Sequence, residues 1–114
     1  MADLPSRTSE TINQLKQQAL DIVNQALALE LTLFELFGET EATIAALDEM
    51  KSAAEDAESS YSQLSTIQLQ IAQSQPVASP DMLQLLERAV ARTQARIPAL
   101  ERSIEEVKIE YNLP

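Results

Sequence analysis

Apolar residues recur in steps of three and four along almost the whole chain. That spacing leaves little room for anything except long helices packed against one another. Ile12, Leu15, Ala19, Ile22, Ala26, Leu29, Leu33 and Leu36 form the first series. Ile44, Leu47, Met50, Ala54, Ala57, Tyr61, Leu64, Ile67 and Ile71 form the second, with Ala and Ser thinning its middle. The third is Leu83, Leu86, Val90, Thr93, Ile97, Leu100, Ile104, Val107 and Tyr111. A single glycine in 114 residues leaves few positions for positive-φ turns, which disfavours a hairpin-rich β protein.

Cap and breaker residues divide these series into helices. The first is expected over about 9–37, with Thr8 or Ser9 accepting a backbone N–H at its start and Glu10 near the positive dipole end. Gly38 follows Phe37, where a left-handed C-cap is needed. A second helix is expected over about 41–73, with Thr40 or Thr43 as its cap; it ends before Pro76, which disfavours helical geometry at the preceding residue. The third, about 80–111, has Ser79 as N-cap, Pro80 at the first helical position and Asp81 in the first turn. Pro98 inside it predicts a kink, read as a static bend or as a hinge.

Short connections between helices of similar length imply one all-α domain over residues 1–114, an up-down-up antiparallel three-helix bundle with coiled-coil-like seams. Helices of this length give a bundle about 45 Å long. A first turn centred on Gly38 sets Leu33 opposite Ile44, Leu29 opposite Leu47 and Leu15 near Tyr61. A second turn centred near Val77 sets Leu86 near Leu69, Arg96 near Glu58, and Arg102 near Lys51 and Ser52.

Composition narrows the chemistry. The chain has no His and no Cys, which excludes the usual zinc sites, Ser/His and Cys nucleophiles, His-ligated haem and disulfides. No cofactor and no metal are expected. Eight basic residues against eighteen acidic ones give a net charge of -10, which repels nucleic acid and anionic membrane surfaces. No apolar run is long enough for membrane insertion, and Met1 to Pro5 lack the layout of a signal peptide. The expected location is cytoplasmic. Glu30 and Glu35, five residues apart, do not share a helical face, and Glu55, Asp56 and Glu58 lack the glycine turn of a calcium loop. The chain is therefore read as no enzyme.

Two features point to partners. On the far side of the first helix, Leu20, Val23, Leu27, Leu31 and Phe34 are spaced for one face, with Phe37 close by. Either the other two helices cover this face, or it remains as a surface for a second copy or another protein. Arg88, Arg92 and Arg96 stand four apart with no acid three or four residues away. The row either grips an anion or an acidic partner, or pairs across the bundle with the acids of the second helix. The sequence thus predicts a non-catalytic helical scaffold or adaptor, acting as a homodimer through the extra face of helix 1. The alternative is an assembly factor or chaperone-like regulator that holds a client protein transiently with the same patch. A weaker reading places a small ligand between the helices, beside Thr93, Tyr61 and Tyr111.

Overall fold

The structure is a computed structural model that describes residues 6–74 and 77–114. It contains three helices: α1 (Ser6–Phe37), α2 (Ile44–Gln73) and α3 (Pro80–Glu110). Each helix packs on both others, α1 and α2 most extensively. Lys16, early in α1, meets Gln68, late in α2, and Tyr111, just past α3, meets Ala42, just before α2. Neighbours are therefore antiparallel, in an up-down-up bundle measuring 56 × 20 × 17 Å.

The ends of the helices show how local chemistry sets the turns. α1 is already helical at Ser6, so Thr8 and Ser9 lie inside it instead of capping it. Gly38 takes the left-handed conformation, φ +71°, and its N–H donates to the Phe34 carbonyl at 2.8 Å. α2 starts at Ile44, later than the spacing suggests, with Thr43, the later of the two candidate caps, at the N-cap position and its side chain bonded to the connection instead of to a helix N–H. The Thr43 N–H donates to Thr40 Oγ1 at 3.3 Å, and the Thr40 N–H donates to Thr43 Oγ1 at 3.0 Å. Ser74 N–H closes α2 on the Gln70 and Ile71 carbonyls. Pro76 and Met1 to Pro5 lie outside the described residues.

α3 starts as its sequence suggests: Ser79 Oγ accepts from the Met82 N–H at 3.2 Å, and Pro80 occupies the first helical position. The helix continues through Pro98, which is exposed, as is Gln94 one turn earlier. The carbonyl deprived of its partner by Pro98 therefore lies on the solvent side. α3 closes with Asn112 at φ 55°, while Leu113 N–H reaches the Lys108 carbonyl and Asn112 N–H the Ile109 carbonyl. This is a Schellman cap with Asn in the place glycine usually fills.

The core is two clusters end to end. At the end holding the first turn, Ile22, Leu33, Met50, Ile104 and Val107 are almost fully buried. At the other end Ile12, Leu64, Ile71 and Leu86 fill the space. Thr93, 1% exposed, falls in sequence between Ala89 of one cluster and Ile97 of the other, its hydroxyl returned to the Ala89 carbonyl. α2 buries two stripes, since Ala46, Ala53 and Ala57 join Leu47, Met50 and Ala54. As the middle helix it touches both neighbours, and alanines let them approach closely.

Several expected seam residues are not buried. Leu36 is 61% exposed and Ile44 44%. At about 100° per residue Phe37 lies closer than Leu36 to the buried seam of α1, and its ring meets Tyr111, just past α3, at 5.4 Å. Leu83 is exposed, and so is Leu69, expected opposite Leu86; Ile67 and Ile71 take the buried places.

Candidate functional site

The far face of α1 is open. Leu20, Leu27, Leu31 and Phe34 are 43–58% exposed in the single chain. At about 100° per residue these side chains and Val23 span about 80° of arc, centred roughly 110° from the core-facing seam. A helix in contact with two neighbours hides its inner side, and this stripe lies beyond their reach. Val23, nearest the core seam in angle, is half-buried and packs on the core. Phe37 is tied to Tyr111 and belongs to the first-turn end of the bundle. Of the six residues singled out from the sequence, four are therefore exposed on one outer face.

α2 and the first turn add a rim that the apolar spacing of α1 does not reveal. Between Leu31, Phe34 and Leu47 runs a cleft of about 270 Å³, bordered by Glu30, Glu39, Asp48 and Lys51. The register of α2 carried that signal, since a turn at Gly38 sets Leu47 beside Leu29. Toward the other end of the stripe, Lys16 Nζ lies 5.2 Å from the Tyr61 ring centroid and donates to Gln68 Oε1 at 3.1 Å. Gln68 in turn donates to Asn13 Oδ1 at 3.5 Å. The outer face is thus apolar along α1, acidic at its first-turn end and cationic at Lys16.

The arginine row is split. Arg96 pairs with Asp56 at 2.6 Å, and Arg92 donates to Gln63 Oε1 at 3.2 Å. Arg88 makes no hydrogen bond or ion pair with another described residue. Glu58, the expected partner of Arg96, lies at a suitable height but some 160° round α2 from Asp56 at about 100° per residue. With both partners of the Arg96 pair about half exposed, it contributes about 0–1 kcal/mol.

A polar concavity of about 390 Å³ lies at the arginine row, lined by Asp56, Ser59, Ser60, Gln63, Arg92 and Arg96. Another of about 330 Å³ lies between the start of α1 and α3, lined by Arg7, Thr11, Leu86, Glu87 and Val90. The polar groups considered for a ligand are engaged inside the fold: Thr93 with Ala89, Tyr111 with the Ala42 carbonyl at 3.0 Å, and the Tyr61 ring with Lys16. Among the described residues no group of three or more Asp or Glu is placed to hold a metal ion, and no helix is long and apolar enough to cross a membrane. No protein-family model, curated protein or solved structure matches the chain.

Proposed function

We propose that this protein is a non-catalytic helical scaffold that works by burying the outer face of α1 against a protein partner, with a second copy of itself as the partner. One observation carries the reading: Leu20, Leu27, Leu31 and Phe34 stay about half exposed, in line, on a helix whose inner seam is already satisfied. Covering a Leu or Phe completely contributes about 1.5–3 kcal/mol, so four half-exposed ones offer roughly 3–6 kcal/mol. A symmetric contact counts the stripe twice, about 6–12 kcal/mol, which reaches the scale of the roughly 4–15 kcal/mol cost of association. The acids and Lys51 at the rim set which partner fits and how it is oriented. A location in the cytoplasm, the absence of Cys being compatible with a reducing compartment, belongs to the same proposal.

The test is the mass in solution. Multi-angle light scattering over a concentration series shows a monomer–dimer equilibrium if the reading holds. Replacing Leu31 and Phe34 together by Glu abolishes the dimer while circular dichroism keeps its helical signal. A mass that stays at one chain at every concentration removes the homodimer and leaves transient client binding as the use of the face.

A further inference from the structure

The outer stripe of α1, with the half-buried Val23 at its inner edge, is spaced symmetrically about Leu27. Counted from Leu27, its members stand at -7, -4, 0, +4 and +7: Leu20, Val23, Leu27, Leu31 and Phe34. In an antiparallel two-fold contact the residue n places after the axis meets the residue n places before it, so a stripe spaced evenly about Leu27 meets its own copy along its whole length. We propose that a second copy docks on this face antiparallel, with the two-fold axis at Leu27, so that Leu20 of each copy seats beside Phe34 of the other. The proposal rests on the docking reading above and adds the direction and register of the occupant.

Charge favours the same direction. In this register Lys16, at -11, meets Gly38, at +11, next to Glu39. Glu39 borders the cleft at Leu31 and Phe34 with Glu30, Asp48 and Lys51, three acids to one base, so Lys16, held within its own chain by Gln68 and the Tyr61 ring, adds its charge to the acidic end of the other copy. Lys16 is the only cation in α1 besides Arg7. Parallel pairing does the reverse: it sets Glu30 of each copy toward Glu35 of the other, on opposite flanks of the stripe, and both acidic first turns at one end. Antiparallel α1 helices also oppose their macrodipoles. Within one chain Lys16 and Glu39 are more than about 30 Å apart along the helix, so any coupling between them reports the second copy.

The absence of cysteine makes the geometry measurable with single spin labels at the exposed positions Glu10, Gln17 and Glu35, each changed to Cys. Offsets between paired labels grow by about 3 Å for each residue from Leu27. Dipolar spectroscopy on the dimer is expected to give axial offsets of about 51 Å, 30 Å and 24 Å for the three sites. Three equal, short distances would mean parallel pairing and overturn the proposal while leaving the docking reading intact.

A charge exchange supplies a second readout. Glu39→Lys takes the net charge from -10 to -8, which by itself favours association, yet the Lys16 contact predicts dimerisation weakened several-fold. Adding Lys16→Glu restores it, and an unchanged or tighter Glu39→Lys dimer refutes the register. A monomer at all concentrations refutes the second copy altogether. Failure of the docking reading itself looks different: a dimer whose mass is indifferent to the Leu31/Phe34 double substitution.

Discussion

The Thr43 hydroxyl donates to the Gly38 carbonyl at 2.7 Å, across a turn in which Thr43 is 3% exposed. With the Thr40 N–H donating to Thr43 Oγ1, one side chain ties the end of α1 to the start of α2. That bond closes the turn next to the cleft between Leu31 and Leu47. Thr43→Val keeps the shape but strands the Thr40 N–H and the Gly38 carbonyl. It is expected to lower stability by about 1–3 kcal/mol in urea titration. Thr93→Val, whose lost hydrogen bond returns to a carbonyl within its own helix, is expected to change stability by less than about 1 kcal/mol.

Gly38→Ala isolates backbone strain. A Cβ at this position meets nothing within 4 Å, so packing does not oppose the change. The left-handed φ of +71° remains, and an L side chain there costs about 1–2 kcal/mol. Thermal unfolding checks this. A neutral result would mean the turn can relax to another conformation.

Ser65 is expected to respond in the opposite sense. Its hydroxyl is buried and, among the described residues, has no hydrogen-bond partner. Ser65→Ala removes that group and raises helix propensity, for an expected gain of up to about 1 kcal/mol. A loss of stability would show that the hydroxyl is satisfied after all.

Positions on the two faces of α1 separate folding from association. Leu33→Ala opens a cavity at a site that is 0% exposed and is expected to cost about 2–5 kcal/mol. Leu31→Glu, two residues away and 58% exposed, is expected to leave the unfolding midpoint of the dilute protein nearly unchanged while weakening the dimer. Equal destabilisation by both would place Leu31 in the core.

Ionic strength tests the sign of the long-range field. Two copies at -10 each repel, and salt shortens the screening length from about 30 Å at 0.01 M to about 8 Å at 0.15 M. Association is therefore expected to tighten as salt rises from low values, read by sedimentation equilibrium. Weakening throughout the range would mean that local ion pairs such as Lys16 with Glu39 outweigh net repulsion.

The number of helices, their order and most of the core follow from local rules. Apolar spacing selects Ile12 to Leu33 as one buried face, Gly38 is the residue that most easily takes the left-handed bend, and Ser79-Pro80 starts α3 as capping chemistry requires. Linear spacing also puts Leu20, Leu27, Leu31 and Phe34 on one side of α1. What it leaves open is whether neighbours reach that side, because burial depends on where two other helices sit around the circumference. The same limit explains Arg96: counting residues gives a partner's height along α2, while the packing angle selects Asp56 over Glu58. Sequence by itself determined three amphipathic helices and their turns, since those depend on contacts within a few residues. Only tertiary structure decided which apolar face stays open, since that depends on the angles at which the helices meet.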